Sequence, residues 1–281
     1  MALVSIDFFS NTLMRTVPVQ VIIPTDKFLF PGRVYPEKKP FQTLYLMHGI
    51  FGNDTDWITG TRIKMWAEDH NLVVVMPSGE NKFYVDNDKS GDLFGKFIGE
   101  ELVQFTRDTF RLSDKREDTF IGGLSMGGYG ALVNGLRYHD TFSRICAFSS
   151  ALVLEKYRDA DNSSWNLADR KCFYESCFGP FDAVPGSDKD YYALADQTAE
   201  EENKPLIYMA CGKQDPLTPE NEKLCCHLRE KGYEVTYEEW KGGHDWFFWD
   251  QCIERVMGWL PVAPSLKGIS SGNAIDDISI Q

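Results

Sequence analysis

Gly123-Leu124-Ser125-Met126-Gly127 constrains this chain more than any other stretch. It follows Asp118-Thr119-Phe120-Ile121-Gly122, which reads as a short buried strand, and precedes Gly128-Tyr129-Gly130-Ala131-Leu132-Val133, which reads as the start of a helix. A G-x-S-x-G pattern arises by chance in a chain with 23 glycines, and its bare alternative is a Gly-rich turn. Between strand and helix it has a mechanical meaning. The serine is forced onto a sharp turn with its hydroxyl exposed at the sheet's edge, and the glycines let the two backbones approach. Such a turn needs a strand buried among neighbours and a helix packed back over them.

The rest of the chain supplies that setting. Two β-rich runs, Leu3–Phe9 and Val17–Ile23, read as an antiparallel hairpin, and a Pro/Lys loop over Phe30–Pro40 follows. Strands are then expected at Thr43–Met47, Leu72–Met76, Thr119–Gly122, Arg144–Phe148, Leu206–Ala210 and Val235–Trp240. Helices are expected at Trp57–His70, Leu93–Phe110, Met126–Tyr138, Pro219–Lys231 and Trp246–Leu260. Short apolar strands alternating with helices predict an α/β fold, a parallel sheet covered on both faces. Thr218 is placed as the N-cap of the helix that has Pro219 in its first turn and Gly232 beyond its end. Residues 1–262 read as one domain, and Pro264–Gln281 as a loose tail. Ala151–Lys204 breaks the alternation and is rich in aromatic residues. It is expected to form short helices, either as a partial lid over the active-site edge or as an ordinary surface excursion.

The formal charge of −13, from 42 acidic against 29 basic residues, comes without a basic cluster, which argues against nucleic acid or anionic membrane as partner. No apolar run approaches the ~18 residues of a membrane span. The N-terminus has no basic region followed by an apolar core. Seven cysteines, an odd number without a C-x-x-C pair, read as reduced thiols of a cytoplasmic protein, with a local bridge or a metal site as the lesser alternative for Cys172 and Cys177.

A serine hydroxyl keeps its proton at neutral pH, so Ser125 needs a histidine to take it and an acid to orient that histidine. Of the five histidines, His244 stands in Gly242-Gly243-His244-Asp245, between the last strand and last helix, where a base can reach a serine on a central strand. His70, His139 and His227 sit in or beside helices and read as surface or packing residues. Asp215, in Gly212-Lys213-Gln214-Asp215-Pro216, follows an apolar strand and is the candidate acid, with Asp182, Asp188 and Asp190 as rivals in the insertion. A strand running into His48-Gly49-Ile50-Phe51-Gly52 offers backbone donors for a developing oxyanion. Ile50 is the first choice there and Phe51 the second, beside Met126 after the serine, with His48 shaping the loop. Asn81, Phe83, Tyr84 and Trp165, with His48, Phe51 and Trp246, are candidate substrate-binding residues. The Trp246-Phe247-Phe248-Trp249 run either packs the last helix or walls the pocket.

Together these motifs resemble the α/β-hydrolase superfamily, and within it the esterase D / tributyrin esterase group of carboxylesterases, related to feruloyl and acetylxylan esterases. The likeness spans residues 2–262. It rests on Leu46-Met47-His48-Gly49, Gly52-Asn53, Trp57, Met76-Pro77-Ser78-Gly79, the Ser125 motif, Phe178-Gly179, Gly186-Ser187, Gly212 with Asp215, and Gly243-His244. It implies an α/β-hydrolase fold and a serine esterase without metal or organic cofactor. Ser125 would be nucleophile, Asp215 acid and His244 base, with Ile50 and Met126 as oxyanion donors. Small-molecule esters, acetyl to butyryl or on acetylated and feruloylated sugars, are the implied substrates. An S-formylglutathione hydrolase-like thioesterase, or an acyltransferase with the same triad, is the alternative. A binding module that kept the fold and lost its chemistry would not require all three triad residues in order. A homo-oligomer is compatible with the sequence.

Overall fold

A computed structural model describes residues 1–26, 28–29, 39–263 and 274–275 of the chain. Its main sheet has eight strands: β1 (Ala2–Ser10), β2 (Arg15–Ile23), β3 (Thr43–Met47), β4 (Val73–Pro77), β5 (Thr119–Leu124), β6 (Arg144–Phe148), β7 (Leu206–Gly212) and β8 (Val235–Trp240). They lie in the order β1-β2-β4-β3-β5-β6-β7-β8. β1 pairs antiparallel with β2, β2 antiparallel with β4, and every later pairing is parallel. This is the expected hairpin joined to a parallel sheet.

The parallel strands alternate between two cores because successive side chains leave opposite faces. Tyr45, Val73, Val75, Ile121, Ile145, Ile207 and Met209 enter one core, while Leu44, Leu46, Val74, Phe120, Cys146, Phe148 and Tyr208 enter the other. The first core is closed by α3 (Leu102–Thr109), α4 (Met126–Arg137) and α8 (Thr218–Glu230). The second is closed by α2 (Ile63–Asp69) and α9 (Trp246–Trp259). Burial on both faces is why these strands read as continuous apolar runs.

Three expectations need correction. The helix expected over Trp57–His70 is two pieces, α1 (Asp56–Gly60) and α2. Thr61 is extended between them, and its hydroxyl donates to Trp57 O (2.6 Å) while accepting the Ile63 N–H (3.1 Å). A threonine that bonds its neighbouring backbone this way competes with the helix. The run expected at Leu93–Phe110 reaches α3 only through a short turn, Phe94–Lys96, and a π-helical turn, Phe97–Glu101. Thr218 is the first residue of α8 rather than its cap, since its hydroxyl turns back to Gly212 O (2.8 Å) and Asp215 O (2.9 Å).

The insertion forms short helices, as expected: α5 (Leu154–Asp159), α6 (Lys171–Phe178) and α7 (Tyr191–Thr198). Their aromatic residues face inward, with Phe178 against Phe83 (5.0 Å between ring centres) and Tyr129 (5.6 Å). Most of the Phe30–Pro40 loop and of the tail expected to be loose lies outside the described residues. Ala274–Ile275 pair in parallel with Phe28–Leu29.

Candidate active site

Ser125 sits between β5 and α4 with φ 53° and ψ −115°, a conformation a non-glycine residue holds only when its surroundings impose it. The imposing bonds are visible. Its N–H donates to Phe148 O on β6 (2.8 Å), and its carbonyl accepts from Tyr129 N–H (3.0 Å) and Ala151 N–H (2.9 Å). Close packing does the rest. A Cβ on Gly127 would lie 2.4 Å from Met47 O and 2.6 Å from His48 O, so only glycine lets α4 meet the end of β3 there.

His244 Nε2 lies 3.0 Å from Ser125 Oγ, and its Nδ1 lies 2.8 Å from Asp215 Oδ2. The serine and the aspartate are 5% and 4% exposed; the imidazole stays partly open to solvent. Asp215 spends its second oxygen on the Leu217 N–H (2.9 Å). Burial disfavours its charge, but the His244 and Leu217 hydrogen bonds outweigh that and hold the carboxyl below the usual carboxylate range. An ionised Asp215 accepts from His244 Nδ1–H, which leaves Nε2 with a lone pair toward the hydroxyl.

The loops that carry Asp215 and His244 are laced together. Lys213 N–H donates to Trp240 O (2.9 Å) and Gln214 N–H to Gly242 O (2.9 Å), while the Gln214 side chain accepts from Gly242 N–H (2.8 Å). Directly after the base, Asp245 caps α9 by accepting the Phe248 N–H (3.0 Å). Trp249 on that helix stands edge-on to the imidazole, 4.9 Å between ring centres. Beside the candidate triad, Gln214 is a residue that the sequence does not single out, whereas the sequence offers Thr218 only as a helix cap and Trp249 only in a run that packs the last helix or walls the pocket. Gln214 and Thr218 lie within three residues of Asp215, which was the one available signal.

The loop after β3 is the oxyanion candidate. A Cβ on Gly49 would lie 3.5 Å from Ser125 Cβ, so the loop rests against the serine. Gly49 O accepts from His48 Nδ1–H (2.7 Å) and from Gly52 N–H (3.3 Å). The carbonyl and the following N–H of a trans peptide point in opposite directions, so this anchoring aims the Ile50 N–H away from those partners. Among the described residues no protein acceptor takes the Ile50 or Met126 N–H, whereas the Phe51 N–H is taken by Asn81 Oδ1 (2.7 Å). Ile50 therefore stands ahead of Phe51 as donor.

His48 is a brace and not a pocket wall. Its Nε2 accepts the Gly79 N–H (2.9 Å), its carbonyl accepts from Tyr84 Oη–H (3.1 Å), and burial pushes the imidazole pKa down. Phe83 and Tyr84, expected at the pocket, are core residues, turned inward at φ 53° and 57°. Trp165 is 91% exposed and Phe51 74% exposed, so neither side chain is enclosed in a pocket. The aromatic run after the base divides: Phe248 and Trp249 are buried, Phe247 is exposed, and Trp246 packs on Trp57 at the wall of a cleft of about 470 Å³. Thr59–Arg62, Phe247 and Asp250 line the same cleft, and no triad residue does. The rival acids are occupied elsewhere, Asp188 pairing with Arg137 (2.7 Å) and Asp190 capping α7, while Asp182 lies exposed on a surface turn. The other histidines are also spoken for or remote: His70 bonds Trp66 O and His227 bonds Asp196.

Known proteins share this framework. An acetyl esterase from Caldicellulosiruptor saccharolyticus is 42% identical over 92% of this chain and 98% of its own length. An S-formylglutathione hydrolase, FrmB, from Staphylococcus aureus superposes with a TM-score of 0.78 at 30% identity, covering 92% of this chain and 98% of that one. The fluorophosphonate-binding serine hydrolase FphF from the same organism, solved with substrate bound, superposes with a TM-score of 0.79 at 30% identity and the same coverage. The profile of the Esterase family matches residues 10–260. The chain belongs to the Esterase family and is a carboxylic ester hydrolase of the α/β-hydrolase fold.

Proposed function

We propose that this esterase is a serine carboxylesterase that cleaves short acyl esters, acetyl to butyryl, through an acyl-enzyme on Ser125. Ser125 Oγ attacks the ester carbonyl as His244 Nε2 takes its proton, with Asp215 stabilising the imidazolium. The carbonyl oxygen gains negative charge and accepts hydrogen bonds from the Ile50 and Met126 N–H groups. The C–O bond to the alcohol then breaks, and His244 returns the proton to the leaving oxygen. Water, deprotonated by the same imidazole, attacks the acyl carbon and frees the acid and Ser125.

The observation that carries this reading is the imidazole within hydrogen-bonding reach of both Ser125 Oγ (3.0 Å) and Asp215 Oδ2 (2.8 Å). A short acyl group is favoured by the 42% identity to an acetyl esterase. Acetylated or feruloylated sugars are the natural forms in which the ester would occur. The seven cysteines, all free, support a reducing compartment, and we place the enzyme in the cytoplasm. Thioester hydrolysis is the second reading, favoured by the likeness to S-formylglutathione hydrolase.

A fluorophosphonate should label Ser125, and Ser125→Ala should abolish both labelling and turnover. Labelling that persists in the variant moves the nucleophile elsewhere. Turnover of p-nitrophenyl esters of increasing acyl length, beside S-acylglutathiones, decides between ester and thioester. A preference for the thioesters of more than about 100-fold in kcat/KM, or about 2.7 kcal/mol, would replace the first reading by the second.

A further inference from the structure

The segment Gly79–Tyr84 follows β4 and is bent sharply, with Glu80, Phe83 and Tyr84 all at positive φ (48°, 53° and 57°). It touches the oxyanion loop at three points. Gly79 N–H reaches the His48 ring, Tyr84 Oη reaches the His48 carbonyl, and Asn81 Oδ1 takes the Phe51 N–H. The first two hold the start of the loop. Only the third acts beyond Gly49, on the peptide next to the free Ile50 N–H.

Phe51 is held at φ 67° with its side chain largely in solvent. A bulky residue keeps such a conformation only where something else pays for it, and burial does not. The Asn81 amide oxygen does: an N–H donor can face only the oxygen of that amide, so its orientation is fixed. The asparagine is in turn held from behind by the insertion. Cys177 Sγ–H on α6 donates to Asn81 O (3.1 Å), and the neighbouring Lys82 Nζ and Asn87 Nδ2 donate to Ser176 O (3.3 and 3.2 Å).

We propose that Asn81 is a positioning residue for the oxyanion hole, fixing the Ile50–Phe51 peptide so that the adjacent Ile50 N–H stays aimed at the reacting carbonyl. The inference rests on the serine-esterase reading above. It gives the insertion a part in catalysis: α6 steadies Asn81, Asn81 steadies the loop, and the loop presents the donor. Asn81 does not touch substrate. Its loss therefore affects the charged tetrahedral state far more than the bound ester.

The test compares the unmodified enzyme with Asn81→Ala and with Asn81→Ser, whose side chain is too short to reach Phe51 but suits a turn. With p-nitrophenyl acetate, kcat should fall about 10- to 100-fold in both, the range expected for a donor shifted by up to ~1 Å. KM should stay within about threefold. The inhibition constant of an aryl trifluoromethyl ketone, which forms an oxyanion on Ser125, should rise by the same factor as kcat falls. A variant with kcat and ketone affinity within about twofold of the parent overturns the proposal. So does a variant that is folded by thermal melt and changes KM without weakening the ketone, because that is the mark of direct substrate contact. If the unmodified protein neither hydrolyses the ester nor binds the ketone, the serine-esterase reading itself falls; an active parent with unaffected variants sinks the Asn81 role alone.

Discussion

Replacing Asp215 by asparagine changes one atom and should nearly stop the enzyme. The reason lies in what each carboxylate oxygen faces. Oδ1 accepts from the Leu217 N–H at 2.9 Å and Oδ2 from His244 Nδ1 at 2.8 Å. An amide has one acceptor oxygen, and Leu217 N–H, a backbone donor beside Pro216, cannot become an acceptor. The amide oxygen therefore stays on Leu217 and the NH₂ group turns to His244. Imidazole then accepts at Nδ1 and carries its proton at Nε2, where Ser125 needs a lone pair. The opposite orientation sets NH₂ against the part-buried Leu217 N–H, two donors facing each other, and is disfavoured. Loss of the right tautomer in such a triad costs about 10⁴ in kcat, or ~5.5 kcal/mol of barrier. Stopped-flow or steady-state hydrolysis of p-nitrophenyl acetate reads the loss in kcat, and the fluorophosphonate labelling rate should fall in step. The melting temperature at pH 7 should drop only a few degrees, since a carboxyl held below its usual range loses its stabilising charge but leaves its loop bonded. Turnover within tenfold of the parent would refute the assignment of Asp215 as the orienting acid.

Two further outcomes follow from packing and titration. Gly127→Ala places a methyl 2.4 Å from Met47 O and must push α4 from β3; it should lower stability by about 1–3 kcal/mol. That is roughly 2–5 °C at this chain length, and a melt unchanged within 1 °C contradicts the close approach. For His48, burial lowers the folded-state pKa, so below pH ~6.5 the unfolded chain binds the extra proton and stability falls as pH falls. In His48→Gln the decline in melting temperature from pH 7 to 5 should be shallower than in the parent; an equal slope removes His48 as a titrating brace.

The sheet was legible because strands buried on both faces write unbroken apolar runs, and β3 to β7 fell where Leu44, Val74, Phe120, Ile145 and Ile207 suggested. The candidate triad was legible for a related reason: Ser125, Asp215 and His244 each follow the C-terminal end of a strand, and those ends sit together in a parallel sheet. What escaped was decided by how side chains and backbone turn, which residue types alone do not show. Thr218 looked like a cap because its residue type suits one, whereas its hydroxyl turns back to the Gly212 and Asp215 carbonyls just before it. Phe83 and Tyr84 looked like pocket residues because composition does not disclose positive φ, which turns both rings inward. Trp165 looked like a substrate-binding residue because it is an aromatic in the insertion, yet its side chain stands in solvent. Asn81 was singled out for substrate, while its acceptor belongs to Phe51, thirty residues earlier.

The lacing of Gln214 to Gly242 has a mechanical consequence. It ties the loop that carries Asp215 to the loop that carries His244, so the two side chains are set against each other by hydrogen bonds that involve neither of them and none of the residues around Ser125.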